Sequence, residues 1–417
     1  VSVADDARAG TGRATDRAAG DLPAPGTTGT APRPARVDVP PEVHLLTPGD
    51  HFSPRTGSAI PTVVDGLCAA VTDPRRPRPR VLVADGTYPD RYPSAEVVGY
   101  PLAATRPADR YLDALAGRLA LPRPGVRRTL RPALAAQDGW PAGVVIAHNA
   151  PQAVPLVHDR HAVVLHAHNL LLRTYTPREA ARVLGGVGAV ACVSGALAEQ
   201  TAPFLPPRLR DRLRVVPNGV DTTRFSPRAD PARTERLRVV FVGRMIRDKG
   251  ADVLLDAVSR LERDDIELTI VGSQNFDAAA ALSPYEQEVH ARAARLGDRV
   301  RLLPFTPREE VAEVYRQADV VVVPSRWAEP FALTVLEGMA CGVPVVASAI
   351  GGIPEVMGDA GVPVRPDDPA DLAAAIEALA DDETMRRGIG ARCRRWAVAH
   401  DWAAARARLD AVLAEVG

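Results

Sequence analysis

The sequence predicts an α/β protein made of two doubly wound parallel-sheet domains. Short Val- and Ile-rich runs alternate with helical amphipathic patterns along most of the chain, as parallel strands joined by crossover helices do. The alternation comes in two series, separated by a turn-rich stretch from Pro217 to Pro231. A chain of 417 residues also exceeds the length that a single hydrophobic core ordinarily organises.

Residues 1–40 are rich in Ala, Gly, Thr, Pro, Arg and Asp and almost devoid of large apolar side chains, so they read as a disordered tail without a signal-peptide stretch. The first strand is Val43 to Thr47. The loop Pro48 to Ser58 and a helix from Ala59 to Ala70 follow it. Strands are then expected at Arg80–Ala84, Val144–Ala147, Val163–Leu165, Val190–Val193 and Leu213–Val216. The second series has strands at Leu237–Val242, Glu267–Val271, Val300–Leu303, Val320–Val323 and Pro344–Ala347. Helices near 249–262, 284–296, 307–317, 333–341 and 369–380 separate them. This organisation gives a first domain over 41–222 and a second over 223–395, with residues 396–417 a helix packing back toward the first. In open sheets of this kind ligands bind beyond the carboxyl ends of the strands, and two such domains enclose one cleft.

Composition narrows the function. An apolar fraction of 46% and a charged fraction of 24% are those of an ordinary globular protein, and no run is long enough to span a membrane. The formal net charge is zero, which gives no reason to expect a nucleic-acid partner. Cys68, Cys192, Cys341 and Cys393 are far apart and form no C-x-x-C pair, so reduced thiols and a cytoplasmic location are expected.

Of the 51 basic residues only one, Lys249, is a lysine. It survives in a sequence that otherwise uses Arg throughout, within Val240-Phe241-Val242-Gly243-Arg244-Met245-Ile246-Arg247-Asp248-Lys249-Gly250. That is an apolar strand followed by the opening of a helix. A lysine there supplies a compact, mobile charge able to follow a phosphate. Further on, the strand Val320–Val323 runs into Pro324-Ser325-Arg326-Trp327-Ala328-Glu329-Pro330-Phe331, and a helix begins near Ala332. Its unpaired N–H groups then sit at the strand's carboxyl end, a ready phosphate site. Glu337 lies about one turn inside, in reach of ribose hydroxyls, and Glu329 lines the mouth of the cleft.

Glu329-Pro330-Phe331 and Glu337, followed by Gly338-Met339-Ala340-Cys341-Gly342-Val343-Pro344-Val345-Val346-Ala347-Ser348 and Gly351-Gly352-Ile353-Pro354-Glu355, resemble the signature of family 4 glycosyltransferases. Asn218-Gly219-Val220-Asp221 with Phe225 resembles the family's crossover between domains, and Gly243-Arg244 with Lys249-Gly250 its donor loop. The resemblance is strong from about residue 189 to 395 and weaker before it. It implies the GT-B fold, two Rossmann-like domains facing one cleft, and transfer of a sugar from a nucleotide-sugar donor with retention. The favoured donor is a UDP-sugar, with GDP-mannose next. The acceptor is a glycan, a lipid-linked molecule or a small molecule.

Carried over position by position, the resemblance implies that Arg244 and Lys249 hold the diphosphate and Glu337 the ribose. Glu329 and the backbone of Phe331, Ala332, Leu333 and Thr334 face the donor sugar and phosphates. Main chain at Pro304 and Phe305 meets the base, and Gly57 and Ser58 approach the diphosphate from the first domain. His166, ending its strand, matches the family's active-site histidine. The expected catalytic set is His166, Glu329, Arg244 and Lys249, with no metal and no cofactor. Ala332 stands where the family often has Gly, and Thr56-Gly57-Ser58 lacks a Gly-Gly pair.

Two other groupings have blander readings. His148, His158, His161, His166 and His168 crowd the end of the first domain, but no Cys or acid with metal-ligand spacing joins them. Arg118, Arg123, Arg127, Arg128 and Arg131 read as a solvated helix–loop surface in preference to a face that docks on a membrane. Three alternatives remain: a same-fold disaccharide synthase, phosphorylase or sugar-nucleotide epimerase; a nicotinamide-dependent oxidoreductase; and a non-catalytic nucleotide-sugar module. The oxidoreductase lacks its fingerprint, because the first loop reads Thr47-Pro48-Gly49-Asp50-His51-Phe52 and contains no G-x-G-x-x-G.

Overall fold

The computed structural model describes residues 40–229, 235–274 and 281–417. The expected tail lies outside them except for Pro40, as does the end of the turn-rich stretch.

The first sheet holds β1 (Glu42–Leu45), β2 (Arg80–Ala84), β3 (Glu96–Tyr100), β4 (Val144–His148), β5 (Ala162–Ala167), β6 (Ala189–Cys192) and β7 (Leu213–Val215). Their spatial order is 3-2-1-4-5-6-7, all parallel. The second holds β8 (Leu237–Val242), β9 (Ile266–Val271), β10 (Val300–Leu303), β11 (Val320–Val323), β12 (Val345–Ser348) and β13 (Val362–Val364). Their order is 10-9-8-11-12-13, again all parallel.

The helices of the first half are α1 (Ala59–Ala69), α2 (Asp109–Arg118), α3 (Pro124–Leu130), α4 (Pro177–Val183), α5 (Gly195–Thr201) and α6 (Pro207–Arg210). Those of the second are α7 (Ala251–Arg260), α8 (Pro284–Arg295), α9 (Arg308–Gln317), α10 (Leu333–Ala340), α11 (Ile353–Met357), α12 (Pro369–Asp381), α13 (Glu383–Ala399) and α14 (Trp402–Val416).

The buried central strands match their expected positions within two residues. The sequence reading misses β3 and β13, both edge strands. β3 is mostly open to solvent, and β13 is three residues long with Pro363 in the middle, a residue that only an edge accommodates. Helix starts carry clear local causes. A capping box joins Ser283 and Glu286 at α8, and Asp368, Asp382 and Asp401 accept backbone N–H groups at α12, α13 and α14.

The chain crosses between the two sheets twice, and the crossings lock together. Val220 bridges to Asp401, and Gly219 lies so close that a Cβ there would stand 2.5 Å from the Asp401 carbonyl oxygen. α14 then packs on α1, β5 and β6 of the first sheet. Its buried Arg406 donates to both oxygens of Glu42, at 2.7 and 2.6 Å. Burial opposes ionisation of Glu42, but bonds from His44 and Arg406 outweigh it and bring its pKa down to about 2.

In both sheets the strand order reverses beside the first strand, between β1 and β4 and between β8 and β11. The loops after β1, β4, β8 and β11 therefore open at the two switch points, where a parallel sheet leaves a crevice.

Candidate active site

The turn from β8 to α7 is seated on the chain leaving β11. Gly250 has φ +74°, and a Cβ there would be 2.0 Å from the Pro324 carbonyl oxygen, so a glycine is required. The Arg326 N–H donates to the Asp248 carbonyl at 2.8 Å and ties the same two segments. This seating brings Lys249 Nζ to 2.8 Å from Glu329 Oε1, and the Ser325 hydroxyl donates to the same oxygen. Glu329 is buried and Lys249 half-buried. Arg244, in the same turn, is exposed, and its guanidinium makes no ion pair with the described residues.

α10 starts at the carboxyl end of β11. Its N-cap, Ala332, has φ −99°, so the departure from glycine costs the backbone nothing. No side chain caps the helix and no acid stands in its first turn, so its positive end is open to an anion. Phe331 packs against the cores of both domains, and Leu333 against the first.

Glu337 is buried one turn in, with its Oε1 2.6 Å from Arg308 Nη2 and its Oε2 accepting from the Tyr315 hydroxyl at 3.4 Å. Burial works against the Arg308 charge, yet the Glu337 carboxylate raises its pKa above the usual value. Burial and then Glu337 push the Tyr315 hydroxyl well up. Arg308 also lies over the Phe225 ring, 5.5 Å from its centre. Pro304 and Phe305 occupy the link from β10 to α9, three or four residues ahead of Arg308.

From the first domain, Gly57 and Ser58 stand at the start of α1. Ser58 has an N-cap's extended backbone, but its hydroxyl caps nothing. The histidines differ from expectation. β5 runs on to Ala167, so His166 lies inside the strand, 0% exposed, with both ring nitrogens unpartnered. It does not reach the cleft surface. His44, His148 and His168 form a buried chain, with His44 Nδ1 2.9 Å from His148 Nε2 and His148 Nδ1 2.9 Å from His168 Nε2. Burial holds His148 and His166 well below the normal imidazole range and brings His168 down to about 3; neighbouring imidazoles add to the first two shifts.

Ligating atoms of His148, His166 and His168 lie within 4.8 Å of one another. The sequence reading grouped these three with His158 and His161; the structure brings His148, His166 and His168 together at the ends of β4 and β5, without the other two. Among the described residues no carboxylate or thiolate joins the three imidazoles. The hydrogen bonds linking His44, His148 and His168 hold these rings together without an ion.

The two domains also meet through Glu355 at the start of α11. Its carboxylate accepts from the N–H groups of Gly195 and Ala196, both at 2.6 Å, at the amino end of α5.

Residues 223–396 match the profile of the family described as Glycosyl transferases group 1, and residues 42–224 that of Glycosyltransferase Family 4. A D-inositol 3-phosphate glycosyltransferase of Thermomonospora curvata is 34% identical over 302 residues, covering 66% of this chain and 68% of the relative. The chain belongs to the family 4, group 1 glycosyltransferases. The enzyme of the same name from Geodermatophilus obscurus is 36% identical over 289 residues, which is 64% of this glycosyltransferase but less than two thirds, 62%, of the relative's length. Among solved structures, Anabaena HepE in complex with UDP superposes with a TM-score of 0.67 at 19% identity, covering 88% of this chain and 98% of that one. Sucrose-phosphate synthase from Thermosynechococcus elongatus gives 0.70 at 20%, covering 88% and 97%. These likenesses establish the GT-B fold of the glycosyltransferase.

The sequence reading did not single out Arg308, Tyr315 and Ser325, the groups that hold Glu337 and Glu329 in place, and it assigned no role to Glu355. Arg308 had one local signal, its position directly after Pro307 at a helix start. Nothing in the sequence tied it to a glutamate 29 residues away.

Proposed function

We propose that this glycosyltransferase moves a sugar from a nucleoside diphosphate donor, preferentially a UDP-sugar, to a hydroxyl acceptor, with retention and without a metal ion. One observation supports the reading most: Arg244, which makes no ion pair among the described residues, Lys249 and the uncapped start of α10 all lie at the carboxyl ends of β8 and β11. Charge builds on the departing diphosphate in the transition state, and fixed positive groups aimed at it lower the barrier, the role a divalent cation plays elsewhere. Glu337, anchored by Arg308 and Tyr315, is the proposed ribose acceptor. Glu329 orients Lys249 and faces the sugar. The backbone at Gly57 and Ser58 closes on the phosphates from the first domain, and main chain at Pro304 and Phe305 takes the base.

Retention calls for attack on the face that the leaving group vacates, with a donor phosphate oxygen taking the acceptor proton. The burial of His166 supports this, since a side chain sealed beneath the surface is poorly placed to act as a back-face base. The inositol phosphate in the relatives' name makes that compound one acceptor to assay, beside glycans and lipid-linked molecules.

A thermal-shift screen of UDP, GDP, ADP and dTDP tests the donor. UDP at 100 times its dissociation constant should add about 2.7 kcal/mol of stability. Proton NMR of the fresh product, with and without EDTA, tests the rest. An inverted anomeric coupling, or activity abolished by chelation and restored by Mg²⁺, would overturn the reading.

A further inference from the structure

Helix α2 is built inside out. Its buried residues are Asp113, Ala116 and Gly117, all small or polar. Tyr111, Leu112 and Leu115 stand at 63%, 49% and 56% exposure, and Leu119 and Leu121 in the link to α3 continue the surface at 61% and 52%. Positions 111, 112, 115 and 119 share one helical stripe. An ordinary surface helix turns such a stripe toward the core. Seven of the thirteen exposed large apolar residues among the described residues lie between Leu102 and Val126, whereas the rest are scattered singly.

The inner contacts hold this orientation. The Asp113 carboxylate accepts from the N–H groups of Gly125, at 2.8 Å, and Val126, at 3.1 Å, at the start of α3. A Cβ on Gly125 would be 2.7 Å from the Asp109 Cβ, so the two helices touch backbone to side-chain root. Rolling α2 to bury its leucines would swing Asp113 out of that cap and leave the N–H of buried Gly125 without its acceptor.

Charge surrounds the stripe. From Leu102 to Arg131 the sequence has seven arginines and two acids, in a chain whose net charge is zero. Both acids are engaged, Asp113 with α3 and Asp109 with Arg128, and Arg123 is paired with Glu179. Arg106, Arg110, Arg118 and Arg131 remain exposed, with Arg110 lying 4.5 Å above the Tyr111 ring.

We propose that α2 and the link to α3 dock on the surface of an anionic lipid bilayer. The leucines and Tyr111 sink to the level of the headgroups, and the surrounding arginines meet lipid phosphates. Charge selects this occupant. A second copy of the same face would set arginine against arginine, and a neutral surface would leave the arginines unanswered. α3 packs on the short turn Pro151–Leu156 that follows β4, so the docked face lies beside the carboxyl ends of the first sheet. The docking does not depend on the donor assignment.

Co-sedimentation of the full chain with vesicles tests it, using phosphatidylcholine mixed with phosphatidylglycerol and phosphatidylcholine alone. The chain should pellet with the anionic vesicles and be released as salt rises. Arg110→Gln with Arg118→Gln should weaken binding roughly 25-fold, about fivefold for each cation removed. Leu112→Ser, Leu115→Ser and Leu119→Ser together should weaken it roughly 100-fold, with thermal unfolding unchanged because these side chains bury little in the protein. Equal pelleting with phosphatidylcholine alone, no pelleting with anionic vesicles, or undiminished pelleting of the leucine variant overturns the proposal. So does a leucine-dependent oligomer in light scattering that ignores vesicles, which would assign the face to a second copy.

Discussion

Acidification should unfold this protein through its buried histidines. His148, His166 and His168 are buried, and their pKa values are depressed, that of His168 to about 3. In the unfolded chain each returns to about 6.5. A group with a depressed folded pKa contributes stability above its unfolded pKa and loses it as pH falls below. At about pH 5.5 the unfolded chain has nearly filled these three sites with protons while the folded chain keeps them empty. The cost depends on the unfolded pKa alone as long as the folded values stay well below that pH. It amounts to about 1 to 1.5 kcal/mol for each histidine, or about 4 kcal/mol for the three between about pH 7.5 and pH 5.5. Glu42, held at about 2, stays ionised throughout and adds nothing to the slope. Urea unfolding followed by intrinsic fluorescence at the two pH values measures the difference, and His168→Asn should remove about a third of it. Equal stability at both pH values, or the His148, His166 and His168 resonances of the folded protein titrating near 6.5, would refute the reasoning.

Lys249→Ala should lower turnover roughly 10- to 100-fold, since a charge-assisted bond to phosphate contributes about 1.5 to 3 kcal/mol; Lys249→Arg should recover part of it, and full activity in the alanine variant removes Lys249 from the phosphate site. Arg308→Leu leaves Glu337 buried without its cation and should cost about 3 to 5 kcal/mol. Adding Glu337→Gln should restore much of that loss, whereas strictly additive losses in denaturant melts would show that the two side chains are not coupled. Gly250→Ala meets the Pro324 carbonyl in a left-handed backbone and should cost about 2 to 4 kcal/mol, with loss of donor binding. A wild-type melting temperature in that variant would mean the turn is not seated as described.

The sequence by itself determined the α/β class, the buried strands and the donor-side motifs. Each of these is local: a Val-rich run such as Val320–Val323, a helix start at Ala332, one lysine kept among fifty arginines. Edge strands β3 and β13 escaped because solvent on one side erases the apolar pattern that marks a central strand. Tertiary structure alone decided what depends on long-range packing. Strand order set β1 beside β4 and β8 beside β11, and so brought the loops of Lys249 and Glu329 together. It joined Arg308 to Glu337 and ran His44 into His148 across neighbouring strands. It sealed His166, which its position near a strand end had suggested was open. It also turned the leucines of α2 outward, because the inner side of that helix was already taken by the Asp113 cap. Periodicity reports that a helix has an apolar face, whereas the neighbours it packs against decide which way that face points.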